Sequence, residues 1–515
     1  VTIAYLTQFF CTTAVSFDLG LVPLGAALIA RGGHMYKDMH EVMFPGTFLC
    51  LAFFFKCFGT SWMVCKVVAV SIFLTIAALL LAASRQLMSG WSVFMPFLSF
   101  VILGAPICAL NYYHWDALMW YLAFACILVS AKQTSSAGGN SGSLTLAALA
   151  GFFGGCSTAC FQPAALPVFI GMVSVSVSSY YEHKKGKQAA LLCAILMGSW
   201  LCLLGCLFIY IWSTDSLVPM YESTVKFVMM HYSTVNKVPY GYSSFVPMLV
   251  AQVPRLVGLL VGTPYFLLNA LPLFVVVLIV VDWQMASTDR TRNTSGSSGM
   301  RTRLLLWTVL ALAYWAMALH RPDIRRLFWS SQPLMVVFWA WAETVCRQSR
   351  LGKVALKLAG AVVVVGLMIN GWLYWFDHGP FVVYQTPLGP VTTDSNLDIV
   401  QAISSRCKKG EKIFVYPWDT VIYFLTDTRF PSKFPYLQYR YHTEEQIVSV
   451  LNDLENFKVK YAAVNKRVNA NSFAQYGFPG FAPVADCDLV VERYLNMHYT
   501  LLGDFGDYKL LARRD

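Results

Sequence analysis

The chain has 515 residues, 57% of them hydrophobic and only 13% charged, where an ordinary soluble domain carries about 25% charged residues. A mean hydropathy of +0.55 over that length excludes a soluble globular protein, a disordered chain, a nucleic-acid-binding domain and a small disulfide scaffold. The net charge of +11 is therefore read as membrane topology and anion handling, with no nucleic-acid partner.

In chain order, apolar runs able to cross about 30 Å of hydrocarbon as helices fall at 1 to 16, 60 to 84, 92 to 110, 115 to 131, 144 to 162, 164 to 181, 189 to 212, 264 to 282, 303 to 319, 328 to 345 and 358 to 376. The count is about eleven. The first run is short and begins without methionine, which predicts a chain start further upstream. Between the first two runs lies an outer loop, 17 to 59. It holds Asp18, an amphipathic stretch from Leu21 to Ala30, and after Pro45 a hydrophobic helix ending at Phe58, too short to span and expected in the interface. A second long outer loop runs from 213 to 262.

Lys and Arg crowd alternate short loops: Arg85; Lys132; Lys184, Lys185 and Lys187; Arg290, Arg292, Arg301 and Arg303; then Arg347, Arg350, Lys353 and Lys357. The positive-inside rule places these in the cytoplasm. An odd number of spans then sets everything after Phe376 outside. The Gly/Ser/Thr-rich stretches 134 to 143 and 293 to 299 and the sequon Asn293-Thr294-Ser295 fall inside, where no glycosylation is expected.

Composition changes at Asp377. Residues 377–515 alternate helix-like and strand-like segments: a capping box from Thr443 to Gln446 opens a helix through about Phe457, and strands are expected at Lys412 to Tyr416, Lys460 to Val464, His498 to Leu502 and Tyr508 to Ala512. The predicted fold is a polytopic α-helical membrane module, 1–376, with a C-terminal extracytoplasmic α/β domain. Twelve of fourteen cysteines lie in or beside spans and read as packing residues. Cys407 and Cys487, in the outer domain, are the two that an oxidising compartment would allow to pair.

Ionisable residues are costly in lipid, so chemistry is sought where they gather. The clusters are Asp18 with Arg31, His34, Tyr36, Lys37, Asp38, His40 and Glu41; Tyr112, Tyr113, His114 and Asp116; the loop carrying Asp215, Glu222, His231, Lys237 and Arg255; and His320, Arg321, Asp323, Arg325 and Arg326. The last puts positive charge on the outer side, against the usual bias. Two readings are open for it: a phosphate site built from guanidinium groups, or lipid anchoring and a pair between Asp323 and an arginine.

The order of these residues resembles a known family. Phe17-Asp18-Leu19-Gly20, the stretch from Ala30 to Asp38, Phe44-Pro45-Gly46, Phe58-Gly59, the glycine-rich run from Leu149 to Gly155, Arg321-Pro322-Asp323 and Val415 to Asp427 together resemble the GT-C superfamily of membrane glycosyltransferases. The branch they look most like is glycosyltransferase family 39 with its bacterial relatives, the protein O-mannosyltransferases and lipid A aminoarabinose transferases. The resemblance implies an inverting enzyme moving a monosaccharide from a polyprenyl-phosphate carrier to a glycan, lipid or protein acceptor at the outer face, in the bacterial inner membrane. It maps the catalytic acid onto Asp18. Many relatives have Asp-Glu there, where this chain has Asp18-Leu19, and a lysine motif after the glycine-rich span, where this chain has Phe161-Gln162-Pro163.

On this reading Asp18 takes the acceptor hydroxyl's proton, while Arg255, Arg321, Arg325, Arg326 and Lys37 hold the donor phosphate. Tyr36, Asp38, His40, Glu41, His114 and Asp116 orient sugar or acceptor. No cofactor is required; a divalent metal, if used, would be held by Asp38, Glu41 and His114. The competing classes are a lipid-linked oligosaccharide transferase and a lipid or sugar flippase or transporter. Asp486-Cys487-Asp488 spells a D-x-D and is read as coincidence; no Walker A, dinucleotide or HExxH motif occurs.

Overall fold

Inside hydrocarbon the backbone has no water to bond, so apolar runs of this length satisfy their own amides as helices. The structure, a computed structural model, describes residues 18–107, 112–136, 140–183, 186–235, 255–288, 295–347, 349–376, 381–393, 395–468, 484–485 and 489–514. The membrane part begins with α1 (Asp18–Ala30), α2 (Gly46–Phe58), α3 (Trp62–Leu87), α4 (Met95–Ile107), α5 (Tyr113–Ser136), α6 (Asn140–Cys160), α7 (Ala165–His183) and α8 (Gly186–Ser213). A strap helix follows: α9 (Leu217–Tyr221) runs through two π turns, Glu222–Lys226 and Val228–Tyr232, to Ser233–Val235. Then come α10 (Arg255–Thr288), α11 (Ser295–Ala316), α12 (Ile324–Ser330), α13 (Gln332–Cys346) and α14 (Arg350–Phe376).

Among the described residues six helices are long and apolar enough to cross a membrane: Trp62–Leu87, Tyr113–Ser135, Ser141–Cys160, Gln162–Tyr181, Lys187–Ser213 and Leu267–Met285. They match six of the expected spans. Others differ. The run at 92 to 110 is a 3-10 turn, Trp91–Phe94, and the 13-residue α4. The run at 328 to 345 is split at Ser331 between α12 and α13, because Pro333 has no amide to continue the first helix and is tolerated in the first turn of the second. The run at 303 to 319 ends at Ala316, where the chain turns. The run at 358 to 376 sits within α14, and 1 to 16 lies outside the described residues.

Small residues let the helices touch. A Cβ at Gly151 of α6 would stand 2.3 Å from the Leu196 carbonyl oxygen of α8, so the two backbones approach as only glycine permits. At one end of the bundle, loops expected to be cytoplasmic are tied together. Arg303 donates to the Gln86 carbonyl (3.0 Å), Arg347 to the Ser89 carbonyl (3.0 Å), and Lys132 to Ser178.

At the other end sits the C-terminal domain, called the outer domain here for its expected side of the membrane. Its hairpin β1 (Val382–Thr386) and β2 (Gly389–Thr393) is followed by α15 (Asp398–Ser404), β3 (Phe414–Tyr416), α16 (Val421–Leu425), α17 (Glu444–Asn456), β4 (Tyr461–Asn465), α18 (Val490–His498), β5 (Tyr499–Phe505) and β6 (Tyr508–Arg513). The four-stranded sheet has the order β3-β4-β6-β5, with β3 parallel to β4 and the other pairs antiparallel. The capping box at α17 forms as the sequence predicts: Gln446 N donates to Thr443 Oγ1 (3.3 Å) and Thr443 N to Gln446 Oε1 (3.1 Å). Cys407 is a free thiol and Cys487 lies outside the described residues.

The stretch read as amphipathic, Leu21 to Ala30, is buried on both sides. Val22, Leu24, Ala26, Ala27 and Ile29 all lie in the core, because α1 is wedged between α2 and α16 of the outer domain. The wedge is tight: a Cβ on Gly20 would stand 2.1 Å from Val421 N. Arg31, just past α1, pairs with the buried Asp427, and Trp62 N at the start of α3 donates to the Leu388 carbonyl of the hairpin (2.8 Å). Because the clash at Gly20 is with backbone, which cannot swing aside, Gly20→Ala is expected to cost about 1–3 kcal/mol. Thermal unfolding in detergent should show the loss, and faster proteolysis at the outer domain should accompany it.

Candidate active site

The loop after α1 is fixed by its own polar groups. Asp38 Oδ2 accepts from His34 N (2.7 Å), Tyr36 takes a left-handed conformation (φ 69°), and its hydroxyl donates to the Met43 carbonyl (2.8 Å). Gln162, at the outer end of α6, clamps the next turn: its Nε2 donates to the Val42 carbonyl (2.7 Å) and its Oε1 accepts from Phe44 N (3.2 Å). This brace holds Glu41 in a wholly buried position. Val42 N (2.8 Å) and Met43 N (3.2 Å) donate to Glu41 Oε1, while Oε2 has no partner. Burial lifts the Glu41 carboxyl to about 7, against the pull of those two amides.

Opposite stands the basic cluster. Asp323 caps α12, accepting from Arg326 N through Oδ1 (3.1 Å), and its Oδ2 lies 3.1 Å from both Arg321 Nε and Arg326 Nη1. Two guanidinium groups thus share one carboxylate, leaving one positive charge unbalanced within the trio. His320 adds none near neutral pH, because burial and then Arg326 push it down to about 4 while its Nδ1 faces the Met317 carbonyl (2.9 Å). Tyr112, Tyr113 and Tyr232 lie within electrostatic range of Arg326, and the first two hydroxyls are 2.9 Å apart. Tyr113 is also within range of Glu41, so the carboxyl and the guanidinium groups face one region.

The wall below is aromatic. His114 stacks on Trp329 (centroids 4.2 Å, 16° between planes) and meets Phe161 edge-on at 4.5 Å. Among the described residues neither His114 ring nitrogen nor Trp329 Nε1 has a hydrogen-bond partner, although all are buried. Buried polar atoms of this kind call for a partner such as a ligand or water.

The remaining sequence-derived residues are placed as follows. Asp18 opens α1, but its side chain lies outside the described residues, as does that of Arg255 at the start of α10. Lys37 and Arg325 are exposed. Tyr36 and Asp38 build the loop, as above. His40 faces the outer domain: its Nδ1 is 3.0 Å from Ser223 Oγ of the strap, its backbone amide donates to the Lys433 carbonyl (2.6 Å), and its ring lies 5.1 Å from Phe434. Burial and then Lys433 push it down to about 4. Asp116 sits among Thr47, Cys50 and Cys160, on the α2 side of α5. The suggested metal set of Asp38, Glu41 and His114 is not assembled: among the described residues no three His, Cys, Asp or Glu side chains gather as a metal site would need, and Asp38 is exposed. Gln162, Tyr232 and Trp329 are the site neighbours that sequence reasoning passed over. The departure from the family's lysine at Phe161-Gln162-Pro163 was the one available signal for Gln162.

No protein-family model and no curated protein matches the sequence. Solved structures do. ArnT from Cupriavidus metallidurans in the apo state superposes with a TM-score of 0.58 at 11% identity, over 99% of this chain and 96% of that one. The same protein bound to undecaprenyl phosphate gives 0.56 at 9% identity, over 99% and 97%. The archaeal oligosaccharyltransferase AglB from Archaeoglobus fulgidus, in complex with an inhibitory peptide and a dolichol-phosphate, gives 0.51 at 10% identity, over 100% of this chain and 74% of that one. Both proteins are GT-C superfamily membrane glycosyltransferases. The chain has the GT-C fold. Residues within 18 to 59, 112 to 116, 213 to 235 and 320 to 331 meet the C-terminal domain or one another.

Glu41 yields a signed pH test. Its carboxyl is raised from 4.5 to about 7 in the fold, so the protonated form is favoured: the cost of ionisation is absent below pH 4.5 and grows as pH rises to 7, by on the order of 3 kcal/mol. Glu41→Gln removes that cost. The variant's melting temperature should match wild type near pH 4 and exceed it by a widening margin up to pH 7.5. His40 and His442, both lowered, act oppositely in either protein and cancel in the comparison.

Proposed function

We propose that this chain is an inverting glycosyltransferase that moves a monosaccharide from a polyprenyl-phosphate carrier to a cell-envelope glycan, lipid or protein at the outer face of a bacterial inner membrane. The observation that carries the reading is the Arg321–Asp323–Arg326 trio, in which two guanidinium groups meet one carboxylate within electrostatic range of three phenols, in a bundle of GT-C fold. A lipid-phosphate leaving group needs a positive, water-poor cradle at that depth, and guanidinium groups match its oxygens. Similar folds occur in ArnT bound to undecaprenyl phosphate and AglB with a dolichol-phosphate, which supports a carrier of this class.

The mechanism is a single displacement. Asp18 accepts the proton of the acceptor hydroxyl as that oxygen attacks the anomeric carbon. The bond to the phosphate oxygen breaks, the configuration inverts, and the electron pair leaves on the lipid phosphate. Arg321 and Arg326 neutralise the growing charge, so no metal or nucleotide is required. His114, stacked on Trp329, offers the sugar an aromatic wall with hydrogen-bonding nitrogens, and the Glu41 carboxyl, about half of it protonated at neutral pH, can donate to a sugar or acceptor oxygen when it carries its proton.

The test incubates purified protein with a panel of polyprenyl-phosphate monosaccharides and crude envelope acceptors, following free polyprenyl phosphate by mass spectrometry. Wild type should release it from one donor. Asp18→Asn should abolish release with expression unchanged, and Arg326→Gln should lower turnover on the order of 10²–10³-fold. Substantial transfer by Asp18→Asn would remove it as the base. Release of a lipid diphosphate would replace the donor class with a lipid-linked oligosaccharide.

A further inference from the structure

We propose that the strap helix Leu217–Val235 is a membrane-surface element, lying on the outer leaflet with Val218, Tyr221, Val225 and Met229 among the acyl chains. The strap has two unlike faces. Towards the protein, Met220, Ser223, Thr224 and Phe227 are buried, Ser223 meets His40, and His231 Nε2 lies 2.8 Å from the Arg440 carbonyl of the outer domain. Away from it, Val218 is 68% exposed, Tyr221 56%, Val225 37% and Met229 73%. An apolar stripe of this kind is rare on a surface facing water.

Its occupant follows from what it continues. Helix α8 is a membrane-crossing candidate whose outer turns expose Phe208, Ile209, Tyr210 and Trp212. Tyr and Trp in such positions mark the level where hydrocarbon gives way to headgroups. The strap begins five residues beyond Trp212, after the Thr214-Asp215-Ser216 turn, and the amide of Ser216 donates back to the Ile211 carbonyl (3.0 Å). That short, tied turn leaves the strap at the same level, so its apolar face extends the lipid-facing surface of α8. Phe44 of the first loop meets Phe208 of α8 edge-on (ring centroids 6.1 Å apart), which puts that loop beside the same turns. Lys226, exposed beside the stripe, can extend to anionic headgroups.

Near its end the strap carries Tyr232, which lies within electrostatic range of Arg321 and Arg326. The proposal needs only that α8 crosses the membrane, and it holds or fails independently of the donor assignment.

The test places the photoreactive residue p-benzoyl-phenylalanine singly at Val225 and at Met229 in the full chain, reconstituted in nanodiscs of phosphatidylethanolamine and phosphatidylglycerol. Leu201, 54% exposed on α8, is the lipid-facing reference, and Val448, 50% exposed on α17, is the aqueous one. After irradiation, intact mass should show one added phospholipid at Val225 and Met229 in yields within about twofold of Leu201 and at least about tenfold above Val448. A lipid yield no higher than at Val448 would overturn the proposal. So would a crosslink to the segment following Val235 or to a second copy of the chain in place of lipid.

Discussion

The outer half of the molecule depends on the wedge of α1 between α2 and the outer-domain helix α16. The backbone contact of Gly20 with Val421 sets the distance, and the ion pair of Arg31 with Asp427 sets the orientation. From the end of α1 the chain enters the loop that carries Glu41, which Gln162 fastens to α6. The first outer loop is thus held on three sides by elements far apart in sequence. A reaction that needs a carboxyl group and a phosphate cradle at fixed separation requires that kind of bracing, since loop residues unsupported by packing lose alignment.

Charge is distributed in keeping with that demand. In the basic trio two guanidinium groups share the Asp323 carboxylate, and two nearby titratable groups carry less charge than they would in water. Burial holds His320 neutral, and Glu41 is close to half-protonated at neutral pH. What remains is a cationic region edged by phenols and an aromatic wall, which favours an anion with a hydroxyl-rich group attached over a free cation.

Much of this was legible from residue patterns, for physical reasons that can be named. The six helices of membrane-crossing length announce themselves because lipid demands unbroken apolarity. The capping box at Thr443 is a local device and forms where it was read. The arginines after His320 stood out because charge at a membrane boundary is expensive. Tertiary facts were not legible. Leu21 to Ala30 reads as amphipathic until α16 is seen to cover its second face. The hairpin of β1 and β2 is not among the strands expected from the sequence; Pro390 is the second residue of β2, where it pairs with Gln385. Trp329 carries no signal of its own, since aromatic side chains are common at membrane ends. The side chain of Asp18, on which the sequence reading placed most weight, lies outside the described residues.

The hairpin carries one more consequence. Its turn lends the Leu388 carbonyl to Trp62 N, the first amide of a helix long enough to cross a membrane, whose first turn is also capped by Ser61 through Val64 N. Helix starts carry amides that their own helix cannot satisfy, and here one is satisfied by a residue more than 300 positions later in the chain. The membrane bundle and the outer domain are therefore not interchangeable modules. During synthesis, α3 would be inserted long before its partner is made, so that end of the helix reaches its final bonding only when the hairpin more than 300 residues on has emerged and folded. An outer domain borrowed from another protein of this fold would have to reproduce that single carbonyl as well as the wedge, which ties the evolution of the two halves together.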